Sequence, residues 1–305
     1  MDDNCTEAVR LPDGTVQHLI EGLYNMTNII SLLKNALDED LGTGGDITSA
    51  AIFDAREQGE AVIRGKQAGV LSGVTLIKPL FELVDPSAEV EIYCADGEAL
   101  EAGKTICKIR GPVRAILAGE RTILNLLQHL SGIASITAKM VEALKGTKCR
   151  LLDTRKTTAG LRALEKAAVL HGGGCNHRFG LYDMILIKDT HVKRCGGVRE
   201  ALSKAFLWRD GKKEPLIEVE VQSVNEFTLA LALSPNRIML DNMTLEDIEA
   251  CVDKRNATAS KTELEASGNI TLVTISAIAA AGVDFVSCGS VTHSAPALDI
   301  NLVMV

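Results

Sequence analysis

The feature that most constrains this chain is a repeated rhythm of strand, loop and helix that begins after Lys148. Short apolar runs at Arg150 to Leu152, Met184 to Ile187, Leu216 to Val221, Arg237 to Leu240, Thr262 to Ala266 and Asp284 to Ser287 read as strands. Helical patterns near Ala163 to Leu170, Val198 to Phe206, Val224 to Leu233, Leu245 to Val252 and Leu272 to Ala281 separate them. Strands that alternate with helices pair in parallel, because each helix carries the chain back across the sheet. Six strands are fewer than a regular eight-stranded barrel holds.

The strand ends show where function gathers. Asp153, Lys188, Gln222, Asp241, Ser267 and Gly289 each lie at or just after the C-terminal end of a strand, where parallel α/β architectures assemble their sites. Between Leu216 and Gln222 a period of two puts Glu218, Glu220 and Gln222 on one face. Polar side chains on a central strand must point at something wet or charged, so an interior lined by acids facing cations is expected. The loops Ser267-Gly268-Asn269 and Cys288-Gly289-Ser290 come directly after strands. Their N–H groups suit a phosphate, although a plain turn that uses Gly for its φ angle would look the same.

Charge is also concentrated. Residues 151–194 hold eight Lys or Arg against four acids in a chain of formal net charge −8, so this stretch expects an anion. Arg155 and Lys156 sit just past one strand, Lys188 just past the next, and the loop Gly172 to Arg178 lies between them. Its glycines allow close backbone approach to a ligand, with His177 and Arg178 reaching from the side.

Composition excludes several classes. A chain of 305 residues with 46% hydrophobic content can bury a sizeable core and suggests about two domains. With basic residues only local and aromatics at 3%, it does not read as a nucleic-acid binder. The eight cysteines form no CxxC pair, so neither a zinc site nor a disulfide framework is suggested and a reducing compartment, the cytoplasm, is expected. The acidic start has no apolar leader, and no run reaches the length of a membrane span. GxxxxGK[ST] and GxGxxG are absent, as is the Thr-Thr-Gly loop of the common phosphoribosyltransferase fold.

Before Lys148 the pattern differs. Residues 1 to 26 read as a polar arm and Ile29 to Leu37 as a helix. The acidic turn Asp38 to Ser49 reads as a Gly turn with Asp46 or Thr48 capping the next segment, in preference to a metal loop. Ala61 to Arg64, Gly69 to Leu71, Val90 to Tyr93 and Thr105 to Ile109 suggest a small open sheet. Ile116 to Leu130 is helical, Ser131-Gly132 is expected to break it, and a second helix from Ile133 to Leu144 stops at Gly146. Glu120 and Arg121 read, by spacing, as an ion pair on a solvated face.

The segments DTRKTTAGLRALEKAAV, GGGCNHRFGLYDMILIKDTH, IEVEVQS, IMLDNM, EASGNITL and SCGSVTHSAPALDINL resemble, in order, the quinolinate phosphoribosyltransferase family. LGTGGDITS and AGERTILNLLQHLSGIA continue the likeness upstream, so that it spans about residue 29 to the C-terminus. The resemblance implies an N-terminal α/β sandwich (residues 27–130), an irregular six-stranded parallel α/β barrel (131–291) and a last strand (292–305) that rejoins the first domain. It implies transfer of phosphoribosyl from 5-phosphoribosyl 1-diphosphate to quinolinate with decarboxylation, in NAD biosynthesis, with Mg²⁺ as cofactor. Family members are dimers, or hexamers assembled from dimers, in which an Arg crosses to the partner's barrel; by motif this is Arg121.

The same resemblance assigns roles. Arg121, Arg155, His177, Arg178 and Lys188 would cage the two carboxylates of quinolinate, and Lys156 would face the diphosphate substrate. Glu220 and Asp241 match acids that handle Mg²⁺, directly or indirectly, the ribose hydroxyls or the ribosyl centre. Ser267, Gly268, Asn269, Cys288, Gly289 and Ser290 would bind the 5′-phosphate. Ala159, Ala167, Gln222 and Asn269 depart from the family's usual Pro, Tyr, Asp and Gly; Gln222 removes one charge from the expected site, and Asn269 can still take a positive φ. Nicotinate phosphoribosyltransferase is the rival reading, but its one-carboxylate substrate makes five cationic groups excessive. A molybdenum-transport-associated relative or an inactive binding protein would not need the cationic set together with Glu220 and Asp241.

Overall fold

The computed structural model describes residues 26–305, with side chains from residue 28. The expected arm, apart from Met26, lies outside the described residues. Helices run α1 (Met26–Leu41), α2 (Ile47–Ile52), α3 (Ile77–Val84), α4 (Val113–Glu142), α5 (Arg162–His171), α6 (Asp189–Cys195), α7 (Val198–Arg209), α8 (Val224–Leu231), α9 (Leu245–Ala257), α10 (Ile275–Ala280) and α11 (Ser290–His293). Strands are β1 (Gln58–Gly65), β2 (Gly69–Val70), β3 (Glu89–Ile92), β4 (Ala99–Leu100), β5 (Thr105–Pro112), β6 (Arg150–Leu152), β7 (Ile185–Ile187), β8 (Ile217–Val221), β9 (Arg237–Asp241), β10 (Glu263–Ser267), β11 (Phe285–Ser287) and β12 (Ile300–Met304). The described chain divides into two compact units, one of residues 139–157 and 174–293, the other of residues up to 138, 158–173 and 294–305.

In the unit that holds the N-terminal half, β12, β1, β5 and β3 form a four-stranded sheet. Its pairs β1·β12, β1·β5 and β3·β5 are all antiparallel, so the last strand of the chain lies beside the first. One face of β1 is closed by Ala61 and Ile63, and Ile106 and Ile109 of β5 are likewise without exposure. The acidic turn does what capping chemistry predicts: Asp46 Oδ1 accepts N–H bonds from Thr48 at 3.1 Å and Ser49 at 3.0 Å at the start of α2.

The expected break at Ser131-Gly132 does not occur; α4 runs unbroken from Val113 to Glu142. Gly132 answers to packing here. A Cβ on it would collide with the carbonyl oxygen of Pro296, so only a bare Cα lets the segment before β12 pass against the helix. Ser131 has a comparable task, its Oγ accepting the N–H of Ser72 at 3.0 Å. Gly172 is similar: a Cβ would collide with the Ala134 carbonyl, so this glycine serves helix packing where a ligand approach was expected.

The other unit is built on six parallel strands in the order β6-β11-β10-β9-β8-β7. A single parallel bridge, Leu152 to Cys175, extends the β6 edge. Each expected strand is present, with ends that move by one residue or less. The short helix α6 is not foreshadowed by any periodicity in the sequence. It starts where His191 Nδ1 accepts the Lys188 N–H at 2.9 Å and stops at Gly196, whose φ is 94°.

Register gives this sheet an unusual interior. Paired residues of parallel strands point the same way, and Glu218 is level with Arg237 and Arg237 with Glu263. One layer up, Glu220, Met239, Glu265, Phe285 and Arg150 align, and above them Asp241, Ser267, Ser287 and Leu152. The face that an ordinary sheet fills with aliphatic side chains is therefore charged.

Gly132→Ala is expected to destabilise the protein by about 1–3 kcal/mol, against the gain of up to about 1 kcal/mol that helix propensity alone predicts. Denaturant unfolding monitored by circular dichroism checks the sign; a stabilised variant would contradict the packing argument.

Candidate active site

The site lies at the C-terminal ends of the six parallel strands. Asp153, fully buried after β6, accepts the backbone N–H of His177 at 2.8 Å and so fixes the loop that carries His177 and Arg178. Arg178, 7% exposed, donates from Nη1 to the carbonyl of Met184 at 3.1 Å. Burial and then the neighbouring Arg155 guanidinium lower its pKa, the mark of two cations held together in a poorly solvated place. Such a pair is a receptor for carboxylate or phosphate.

Lys188 begins the chain after β7 and forms an ion pair with Glu220 Oε1 from β8. Glu220 is 8% exposed on its side chain and Lys188 44%, so the ammonium stands at the opening with the carboxylate beneath it. The other oxygen of Glu220 lies 3.4 Å from the Asp189 N–H. Asp241, half-buried at the end of β9, accepts from Asn242 Nδ2 at 3.0 Å. Gln222 is exposed, and its backbone N–H goes to Glu226.

The two late loops differ. Gly268 and Asn269 both have positive φ, 89° and 55°. A Cβ on Gly268 would collide with Asn242 Oδ1, which explains the glycine, and Asn269 tolerates the left-handed conformation as its amide permits. In the second loop the N–H of Cys288 is donated to the Leu152 carbonyl at 3.0 Å, so it is already committed to the sheet. Cys288 Sγ contacts Ser290 Oγ at 3.0 Å, and the Lys156 carbonyl accepts from Thr292 Oγ1 at 2.8 Å. A Cβ on Gly289 would approach Lys156 Cδ at 2.9 Å, so this loop is cut to fit the Lys156 side chain. Ser267 closes β10 level with Asp241.

Beneath these groups lies a buried cluster, of which Glu218 and His177 are named from sequence as polar groups of the site but Glu265 and Arg237 are not. His177 Nε2 is 3.3 Å from Glu218 Oε2 and 3.5 Å from Glu265 Oε2, and both glutamates are fully buried. Arg237 reaches Glu265 at 3.2 Å and Glu263 at 3.0 Å, and its guanidinium covers the Phe285 ring at 4.0 Å. Burial opposes the charge on Arg237, but Glu218, Glu265 and Glu263 outweigh it and raise its pKa. Burial raises the carboxyl of Glu218 as well. The donor atoms of His177, Glu218 and Glu265 lie within 4.8 Å of one another, as metal ligands would, but Arg237 already supplies the cation there. Glu263, Glu265 and Ser267 alternate in sequence as Glu218, Glu220 and Gln222 do, and the same period of two could have revealed them.

Arg121 belongs to the other unit, on α4, where it is exposed. Among the described residues it has no ion-pair partner, so the pair with Glu120 that spacing suggests is not formed.

Comparison with known proteins decides the family. The model for the N-terminal domain of quinolinate phosphoribosyl transferase matches residues 46–131 and that for the C-terminal domain residues 133–303. This chain belongs to the quinolinate phosphoribosyltransferase family. A probable nicotinate-nucleotide pyrophosphorylase (carboxylating) of Bacillus subtilis is 41% identical over 279 residues, 91% of this chain and 94% of the relative. Quinolinate phosphoribosyltransferase (decarboxylating) 1 of Nicotiana glauca is 39% identical, covering 92% of this chain and 82% of the relative. The crystal structure of NadC from Streptococcus pyogenes matches with a TM-score of 0.84 at 42% identity, over 92% of this chain and 98% of that one. Human nicotinic acid phosphoribosyltransferase, at 13% identity and a TM-score of 0.61, shares the fold alone. The family's expected cationic residues Arg155, Arg178 and Lys188 are thus present in one unit, with Glu220 and Asp241 on adjacent strands.

Glu265 yields a prediction about pH. Burial first and Glu218 second push its carboxyl up from 4.5 to about 7. Between those values the folded protein holds a proton that the unfolded chain has lost, so this group's stabilisation falls as pH rises through the window. The melting temperature is expected to drop by a few degrees between about pH 5 and about pH 7, on the order of 1 kcal/mol or more. Glu265→Gln should remove most of that drop in scanning calorimetry; an unchanged slope would assign it to other groups.

Proposed function

We propose that this protein catalyses the reaction for which its relatives are named, joining quinolinate to 5-phosphoribosyl 1-diphosphate to give nicotinate mononucleotide, diphosphate and CO₂. The observation that carries this reading is Arg178 buried beside Arg155, with Lys188 close to the chain's own Glu220, on the family's motif positions. Quinolinate carries two adjacent carboxylates, and planar guanidinium forks bind carboxylate in bidentate fashion, which suits Arg155 and Arg178. Lys188 adds a point charge that Glu220 holds in place before the substrate arrives. Arg121 comes from a second copy of the chain, in a homodimer, which its exposed and unpaired state favours. The protein works in the cytoplasm, a reducing compartment, which suits the seven free cysteines among the described residues. No helix among those residues is long and apolar enough to cross a membrane.

The carboxylates facing the ribosyl C1 stabilise the positive charge that grows there as diphosphate departs. Asp241, a half-buried carboxylate at the rim, fits Mg²⁺ better than Glu220, whose oxygen is engaged by Lys188. When bound, Mg²⁺ supplies charge neutralisation of the leaving diphosphate. Lys156 faces that diphosphate, and the 5′-phosphate lies on the loops of Ser267, Gly268 and Asn269 and of Gly289 and Ser290. Cys288 contributes its position only, since its amide is bonded to the sheet. Attack by the pyridine nitrogen makes a pyridinium, whose charge stabilises the carbanion left when the 2-carboxylate departs as CO₂. That carbon then takes a proton. The chemistry asks for placed charge more than for a strong base.

The test is a paired assay with Mg²⁺ and 5-phosphoribosyl 1-diphosphate, quinolinate in one tube and nicotinate in the other. Nicotinate mononucleotide and CO₂ are expected from quinolinate alone; turnover of nicotinate alone would overturn the reading. Lys188→Ala leaves Glu220 as an unpaired carboxylate facing an anionic substrate. It is therefore expected to lower kcat/KM for quinolinate by about 30-fold or more, chiefly through KM, while the double variant with Glu220→Gln loses less than the two losses combined.

A further inference from the structure

We infer that Glu165 is a positioning residue for the reaction: by holding the backbone of Thr158 it fixes the turn from which Arg155 and Lys156 reach the substrates. This rests on the function proposed above, which gives those two cations their tasks. Glu165 lies on α5 with no exposure, and a carboxyl taken out of water needs partners for its oxygens. The ring of His129, from α4, brings Nε2 to 2.8 Å from Oε1. The backbone N–H of Thr158 is donated to the same carboxyl, at 3.2 Å to Oε2 and 3.3 Å to Oε1. An aliphatic side chain here would pack α5 without that desolvation cost, so what the acid adds is its hold on the loop.

Thr158 follows Lys156 by two residues, and the turn is secured on both sides. Upstream, the Lys156 N–H is donated to Thr154 Oγ1 at 3.0 Å, its carbonyl accepts from Thr292 Oγ1 at 2.8 Å, and the Thr157 N–H is donated to the Arg155 carbonyl at 3.0 Å. Downstream, Thr158, Ala159 and Gly160 are all exposed, so burial does not hold the exit. Hydrogen bonds do. The Leu161 N–H is donated to the Thr158 carbonyl at 3.1 Å, and Gly160 has a φ of 84°, the pattern of a type II turn with Ala159 in its second position. Glu165 takes the other backbone group of Thr158, its N–H, and so ties the exit to α5. The Lys156 side chain is exposed and that of Arg155 half-buried, so both take their direction from the backbone beneath them. A cation on a fixed backbone loses less freedom on binding an anion than one on a loose turn.

Two measurements test this. The first is hydrogen exchange of the Thr158 amide, by NMR, in the intact ligand-free protein. Although Thr158 is exposed, its amide is expected to exchange at least about tenfold more slowly than in a free peptide; exchange at the free-peptide rate would overturn the inference. The second is the Kd for 5-phosphoribosyl 1-diphosphate by calorimetry. Glu165→Ala is expected to weaken binding about tenfold. Loss of a negative charge by itself favours an anion, so unchanged or tighter binding would overturn the inference, even in a variant of lowered melting temperature. In a Lys156→Ala background the same change should cost less than about twofold, since the residue it acts through is gone, and losses that simply multiply would also overturn it. Glu165→Gln, which keeps an oxygen for the Thr158 N–H, should bind within about threefold of the natural protein. Adding Ala159→Pro to Glu165→Ala should recover at least about threefold, because proline suits the second position of a type II turn and stiffens the exit by another route. Should Glu165→Ala fail to fold, the Thr158 amide of the unaltered protein still decides. A protein that binds neither substrate would refute the proposed function, while amide exchange, read without ligand, separately tests the geometry on which this inference stands.

Discussion

The arrangement on which the site depends is the contact between Arg237 and the buried acids around it. Glu218 and Glu265 are fully buried, and unpaired charge there would be expensive. Arg237 bonds Glu265 and Glu263 and lies across the Phe285 ring, with Arg150 on the same ring at 4.7 Å. The raised pKa of Glu265 reduces the ionic load further, since one proton leaves the group closer to neutral. Such a centre adds little net stability compared with a well-packed aliphatic one. Its effect is geometric: Arg237 holds Glu263 and Glu265, and Glu265 and Glu218 lie beside the ring of His177.

From that centre the charged layers rise towards the strand ends. Glu220 occupies the layer of Glu265, where it meets Lys188, and Asp241 occupies the layer of Ser267 and Ser287. Burial decreases along the same direction, from Glu218 with no exposure, through Glu220 at 8%, to the half-buried Asp241. A gradient of this kind lets the inner groups fix the outer ones, while the outer ones keep enough access to exchange water for a charged substrate. Separate loops then deliver Arg155, Arg178 and the late glycines to the rim.

Much of this is legible in the sequence alone. Alternating apolar runs and helical spacings located the six parallel strands to within a residue, because an α/β repeat leaves its period in the sequence. Position at strand ends identified Lys188, Asp241 and Ser267, and alternation in β8 identified Glu218 and Glu220. The errors have physical causes. Gly132 looks like a helix break, because a glycine demanded by a neighbouring carbonyl is indistinguishable in sequence from one demanded by φ. Gly172 misleads in the same way. Helix α6 is too short to show a period, and its start depends on a His191 side-chain bond.

Sequence by itself therefore determined the parallel α/β plan, the strands, the cationic stretch and the family, all of which are written in local pattern or in motif order. Tertiary structure alone decided which charges meet. That Arg237 answers Glu265, that Lys188 answers Glu220 and that the His177 ring stands beside Glu218 and accepts the Arg178 N–H depend on strand register and loop path. These partners lie 28, 32 and 41 residues apart or, for Arg178, next door with the ring turned back on it. A side chain's role at such a site is set by its neighbours in space, and no one-dimensional period records them.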